Sequence, residues 1–185
     1  VTTPAPFLGQ HCITPYAKST VLGRWLWLLV QSTLFRWSPR PLHGFRSWLL
    51  SCFGADITAP VVIFPTAKIT FPKNLSLAAH SMVGPHVNLY NLAPIRLEYG
   101  ANLSQNCYLC TGTHDFTDWT MPLLSAPIVI GRNVWLGADV FVGPGVSIGE
   151  LSVVGARSVV MKDLPARKIC VGHPCRPIKD RPEPK

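Results

Sequence analysis

From Ile130 onward an aliphatic residue returns at every sixth position, as Ile130, Leu136, Val142, Ile148, Val154 and Val160, and the first five are each followed by glycine. Four places after each of those five stands a small or β-branched residue: Val134, Val140, Val146, Ser152 and Ser158. Neither the alternation of a strand nor a helical repeat generates a period of six. The pattern predicts a coil with three flat faces, in which each hexad supplies one short strand and one corner and about three hexads complete a turn of a parallel β-solenoid. The aliphatic fills the interior, and the small residue takes the second inward position, where the prism narrows. The glycine is expected where the backbone turns sharply at a corner, often with positive φ, so that a Cβ would be costly.

Upstream the same grammar is weaker. It runs through Ile57, Ile63, Ile69 and Leu75, then Leu77, Val83 and Leu89, then Leu97, Leu103 and Leu109, with two-residue slips near Leu75 and Pro94. The solenoid is therefore predicted from about Ile57 to Leu164, in a domain spanning 56–166 followed by a tail over 167–185. One excursion, DFTDWTMPLLSAP at about 115–127, breaks the register, and a loop that leaves an otherwise strict solenoid is a functional suspect.

The first 55 residues are different, rich in Trp, Leu and Arg. VLGRWLWLLVQSTLFRW is apolar on nearly every side, but Arg24, Gln31 and Arg36 keep it from offering the roughly 20 clean residues of a membrane span. Ser38-Pro39-Arg40-Pro41 ends it, and Leu42, Phe45, Leu49, Cys52 and Phe53 follow at helical spacing, stopping near Gly54. Two readings stand. The segments form a helical cap over the solenoid, since a solenoid end needs one, or an interfacial membrane helix with Trp25, Trp27 and Trp37 as anchors and arginines as the basic flank.

Composition narrows the picture. With 185 residues, 48% of them hydrophobic and 14% charged, the chain is no disordered protein and its surface is not densely ionic, which suits a solenoid or an oligomer. A net charge of +8 fits an anionic partner of some kind, and the balance alone does not choose among nucleic acid, a phosphorylated cofactor and an acidic membrane surface. Six cysteines at irregular positions, in a chain too large to need stapling, point to a reduced, cytoplasmic protein, and no signal peptide is expected.

The run IVIGRNVWLGADVFVGPGVSIGELSVVGARSVVMKDLPARKICVGHPCRPI, together with CTGTHDFTD, resembles the hexapeptide-repeat acyltransferases. FRWSPRPLHGFRSWLLSCFGA narrows the resemblance to the branch of the colanic acid, maltose and galactoside O-acetyltransferases. The resemblance implies an all-β, left-handed parallel β-helix, a homotrimer with active sites between subunits, and acetyl-CoA as co-substrate. It implies transfer of an acetyl group to a carbohydrate hydroxyl, with no nucleic acid partner. Handedness comes from the resemblance alone, since general crossover rules favour right-handed connections.

Such a transfer needs a base for the attacking hydroxyl, donors for the oxyanion and a long site for the cofactor. His114 ends the hexad 109–114 at the mouth of the excursion and matches the family's base; an imidazole suits that task. Asp115 and Asp118 are candidates to hold its ring, although aspartate also simply starts turns. The resemblance makes Asn88 a catalytic candidate, with Asn91, Asp118 and Trp119 expected at the acceptor. It places coenzyme A along Trp135, Gly137, Ala138, Gly155 and Ala156, with the pantetheine following backbone amides and Lys162 and Arg176 toward the phosphates. Met161 stands where the family commonly has threonine. Cys107 and Cys110 have metal-motif spacing, but the repeat turns Cys107 inward and no second pair follows, so packing is expected. His80, His86 and His114 lack the spacing of the three-histidine zinc site of carbonic anhydrases sharing this fold, and no metal is expected. Two alternatives remain: transfer to a sugar amine or small natural product, and a catalytically silent scaffold.

Overall fold

The computed structural model describes residues 18–183. Cys12, the rest of the first 17 residues of the N-terminal region and the last two residues of the tail lie outside them. Residues 56–172 wind into a parallel β-helix with three faces. The first face stacks Asp56–Ile57, Leu75–Leu77, Ile95–Leu97, Ile128–Ile130 and Ser147–Ile148. The second stacks Val62–Ile63, Met82–Val83, Asn102–Leu103, Trp135–Leu136, Val153–Val154 and Lys168–Gly172, and the third Lys68–Ile69, Asn88–Tyr90, Tyr108–Cys110, Phe141–Val142 and Val159–Val160. The predicted aliphatics meet inside: Ile63, Val83, Leu103, Leu136 and Val154 form one interior column and Ile69, Leu89, Leu109, Val142 and Val160 another, all buried. The small positions Val134, Val140, Val146, Ser152 and Ser158 are buried between them.

The repeat glycines act differently from the expectation. None of Gly131, Gly137, Gly143, Gly149 and Gly155 has positive φ; the left-handed corner positions are held by Asn133, Asp139, Gly145, Leu151 and Arg157, and upstream by His80, His86, Gly100 and Asn106. Glycine is required because the next coil lies directly against it. A Cβ on Gly131 would stand 2.7 Å from the Ile148 carbonyl oxygen, one on Gly137 2.7 Å from the Ala156 nitrogen, and one on Gly149 2.4 Å from the Ala166 nitrogen. These are backbone atoms held by the ladder, so they cannot yield without separating the coils.

The slips in phase have one location. Ile57 pairs with Leu77 and Leu77 with Leu97, so the first coils are longer than the later ones, where Ile130 pairs with Ile148. The extra residues sit at the edge between the third and first faces, in the 3₁₀ turn Pro72–Asn74 and in 91–94. The excursion leaves from this same edge. It is a β-hairpin rather than a loop, with Gly112–His114 antiparallel to Leu123–Ser125, and it begins before residue 115.

The N-terminal region forms an α-helix, Lys18–Val30, continued by a π-helical turn over Gln31–Phe35, and a second α-helix, His43–Cys52. Both close the open end of the coil. The Trp27 indole N–H donates to the Ile69 carbonyl at 2.7 Å, the Ile69 N–H donates to the Gln31 side-chain oxygen at 2.7 Å, and Arg46 Nε–H donates to the Ile63 carbonyl at 2.7 Å. Ile63 and Ile69 belong to the terminal strands of their sheets, so these side chains occupy edge groups that would otherwise template further strands. No helix among the described residues is long and apolar enough to cross a membrane.

At the far end, the residues expected to form a tail continue the second face. Lys168–Gly172 pairs parallel with Val153–Val154, and Cys175–Asp180 folds back antiparallel on it. Cys52, Cys107, Cys110, Cys170 and Cys175 are free thiols. Cys107 faces inward, donates to the Gly137 carbonyl, and burial pushes its thiol up to about 11, far from the thiolate a metal requires.

Candidate active site

His114 ends the outgoing strand of the hairpin and pairs with Leu123. Its imidazole is exposed, with Nδ1 2.6 Å from the Met121 carbonyl oxygen. A carbonyl only accepts, so Nδ1 carries a proton, and in the neutral imidazole Nε2 then keeps its lone pair. That is the tautomer a base needs, and the second-nitrogen contact that fixes it is a main-chain group.

The neighbouring carboxylates do other work. Asp115 Oδ1 accepts from the Thr117 hydroxyl at 2.6 Å and the Thr117 N–H at 2.9 Å, and these bonds hold its carboxyl below the usual aspartate range. Asp118 Oδ1 accepts from the Thr120 N–H and hydroxyl, both at 2.8 Å. Neither is bonded to His114, so the expectation that one of them orients the ring is corrected: they build two consecutive Asp-x-Thr turns. The Asp118 carbonyl then accepts from the Met121 N–H at 2.8 Å and the Pro122 carbonyl from the Asp115 N–H at 3.0 Å, which brings the Met121 carbonyl back to His114. Met121 itself stands at φ +46, a position L-residues seldom adopt. The repeated D-x-T was visible in the sequence; the carbonyl it aims was not.

Asn88 lies on the third face, half-buried and pointing outward between Lys68 and Tyr108. Asn91, expected at the acceptor, is fully buried and commits its amide within the chain. Oδ1 accepts from the Phe71 N–H at 2.9 Å and the Thr70 N–H at 3.1 Å, and Nδ2 donates to the Phe71 carbonyl at 2.7 Å. It fastens the enlarged corners of two coils together. Asn91→Ala is expected to lower unfolding stability by at least about 2 kcal/mol, because it removes buried partners from several main-chain groups. Urea denaturation checks this, and transfer activity per folded molecule should remain close to wild type.

Trp119 and Phe116 occupy the hairpin tip, 68% and 86% exposed. On the second face Trp135 is half-exposed and donates its indole N–H to the Ser104 hydroxyl at 2.9 Å, a partner that sequence reading did not single out. The amides of Gly137 and Gly155 are held in the ladder by the Val154 and Cys170 carbonyls, both at 2.8 Å, so they are not donors for a bound chain as expected. The next residues differ. Among the described residues the Ala138 and Ala156 N–H groups donate to no protein acceptor, and the two lie on successive coils of the edge between the second and third faces. Alanine there leaves the amides approachable, where the other corners carry Arg132, Pro144 and Glu150.

Lys162 is exposed on a different edge, the one between the third and first faces, two coils beyond the root of the hairpin. Arg176 is exposed in the C-terminal hairpin, its guanidinium donating to the Cys175 carbonyl at 2.8 Å. Within one chain, then, His114 and Lys162 belong to one edge of the prism, and Trp135, Ala138 and Ala156 to the second face and the edge that follows it. His80 and His86 sit at left-handed corners, His80 edge-on to Tyr99, and no cluster of metal-ligating side chains occurs among the described residues.

Residues 127–162 match the family model described as bacterial transferase hexapeptide (six repeats). Over 158 residues the chain is 49% identical to the protein named as colanic acid biosynthesis acetyltransferase WcaF of Escherichia coli (strain K12), covering 85% of this chain and 87% of that one. The structure superimposes on that of a maltose O-acetyltransferase from Clostridium difficile 630 with a TM-score of 0.79 and 25% identity, over 90% of each chain. It also superimposes on a hexapeptide-repeat acetyltransferase from Vibrio cholerae, solved with acetyl coenzyme A, with a TM-score of 0.79 and 24% identity, over 90% of this chain and 91% of that one. The coil is the left-handed β-helix of these acetyltransferases.

Proposed function

Since the chain belongs to the hexapeptide-repeat acetyltransferases, we propose that it transfers the acetyl group of acetyl-CoA to a carbohydrate hydroxyl, with His114 as general base. The observation that carries this reading is the pairing of His114 Nδ1 with the Met121 carbonyl, which leaves Nε2 as a free base on an exposed hairpin. The acceptor's proton passes to Nε2 as its oxygen bonds to the acetyl carbonyl carbon. The carbon–sulfur bond then breaks, and the imidazolium returns the proton to the departing thiolate, so the histidine ends neutral. Asn88 is the polar candidate to meet the acceptor, and Trp119 at the hairpin tip offers a ring face to a sugar.

Acetyl-CoA as donor is supported by the Vibrio relative, which binds it, and by the two open amides of Ala138 and Ala156. Trp135 flanks them, and Lys162 and Arg176 supply cations for the phosphates. Because His114 and Lys162 share one edge of the prism while Trp135, Ala138 and Ala156 line another, the reading includes a homotrimer in which one subunit's hairpin edge faces the strip of its neighbour. A carbohydrate acceptor is supported by the names of the colanic acid and maltose relatives.

The test is thiol release from acetyl-CoA by purified protein against a panel of sugars, oligosaccharides and amino sugars, with light scattering on the same sample. Release that depends on a hydroxyl acceptor is expected. Release only with an amine would reassign the acceptor, and absence of coenzyme A binding by calorimetry would reduce the protein to a scaffold.

A further inference from the structure

The N-terminal helix has two apolar sides, and the coil covers one. Trp27, Gln31 and Phe35 recur every fourth residue and pack on the end of the solenoid, Trp27 and Phe35 both buried. On the other side Leu22, Trp25, Leu26 and Leu29 form a second stripe at helical spacing, all of them more than half exposed, and Trp37 just beyond the helix is 82% exposed. A helix apolar all round is expected to be buried all round. Among the described residues nothing covers the outer stripe.

Charge identifies what does. Residues 1–55 contain five lysines and arginines and no aspartate or glutamate, although the whole chain has nine acidic residues. Arg46 is buried in the cap, whereas Arg24, Arg36 and Arg40 are exposed. Arg24 lies 5.5 Å from the Phe71 ring centre, at the rim of a cleft of about 250 Å³ beside the helix whose other cation is Lys73. Among the described residues none of these four cations forms an ion pair. A two-fold contact through this face would bring arginine against arginine, with no carboxylate on either side to relieve it. An aliphatic stripe with tryptophans, bordered by unpaired cations, fits the boundary between acyl chains and anionic headgroups.

We propose that this face docks the protein on an anionic lipid bilayer. Leu22, Trp25, Leu26 and Leu29 enter the headgroup–acyl boundary, and Arg24, Arg36, Arg40 and Lys73 meet lipid phosphates. The docking surface is independent of the hairpin, so it stands or falls apart from the acetyl-transfer chemistry.

Flotation of the full chain with vesicles tests this, comparing phosphatidylcholine mixed with phosphatidylglycerol against phosphatidylcholine alone. The wild type should float with the anionic vesicles, stay down with the neutral ones, and detach as salt is raised. Arg36→Gln with Arg40→Gln should weaken partitioning by about fivefold for each charge removed. Trp25→Ala with Leu29→Ser should abolish it; both side chains are exposed, so circular dichroism and acetyl transfer in solution should match wild type. Equal behaviour toward the two vesicle types would overturn the proposal. So would a change in molecular mass by light scattering in the Trp25/Leu29 variant, which would make the face a contact between copies of the chain.

Discussion

His114→Ala should lower kcat/KM for acetyl transfer by about a hundred- to ten-thousand-fold, the range for losing a positioned acid–base group. The loss should fall on kcat. The imidazole is exposed and its bond is to a single main-chain carbonyl, so removing it leaves the hairpin ladder and the strip around Trp135 intact, and coenzyme A affinity by calorimetry should not move. Asp115→Asn is the informative companion. Its carboxylate is tied to Thr117, and the amide that replaces it keeps an oxygen able to accept the same two bonds. Its rate should therefore stay near wild type. An Asp115→Asn defect as deep as that of His114→Ala would mean that the carboxylate holds the ring during turnover, and the orienting role given to Met121 would be wrong.

The second large effect is on stability. Arg46 has no exposed surface and, among the described residues, no carboxylate partner; its charge is met by neutral main-chain and side-chain groups. Nε–H donates to the Ile63 carbonyl, Nη1–H to the Ser38 hydroxyl at 2.8 Å and the Pro39 carbonyl at 2.9 Å, and Nη2–H to the Arg40 carbonyl at 2.5 Å. Burial pushes its pKa down from the ordinary value. One planar fork thus joins the turn at 38–41, the second helix and the terminal strand of the second face. Arg46→Met should cost about 3–5 kcal/mol, since the volume is kept while several buried oxygens lose a charged donor. Arg46→Lys should recover only a small part, because a single ammonium cannot reach acceptors spread around a guanidinium. Urea titration followed by Trp fluorescence and by far-ultraviolet circular dichroism checks this. In the variant the tryptophan signal of the cap should melt before the coil, as expected when the end of a solenoid loses its cover.

The coil was legible in the sequence because its period is enforced by geometry at every turn: a column of aliphatics inside, and no room beside each neighbouring backbone. The same geometry explains the error over glycine. Close approach and positive φ both exclude a Cβ, and a sequence shows the exclusion without its cause. Only the contacts of Gly131 and Gly149, and the positive φ of Asn133 and Leu151 nearby, separate the two.

The site was legible in part. His114 stood out because it interrupts a repeat. The carbonyl that fixes its tautomer is main chain, so residue type carries no trace of it. Asn91 looked like a polar residue near the site, and its burial became visible only once the coils were stacked. The buried fork of Arg46 was hidden for the opposite reason, since an arginine in a basic segment reads as surface.

Every length change in the coil has been confined to one edge. The 3₁₀ turn at Pro72–Asn74, the corner at 91–94 and the whole hairpin all leave between the third and first faces, yet Leu97 still pairs with Ile130 and Leu109 with Val142. Whatever is spliced in there, the strands on either side find the same partners. The hairpin is thus a cassette that can be lengthened, shortened or exchanged without re-registering the coil beneath it.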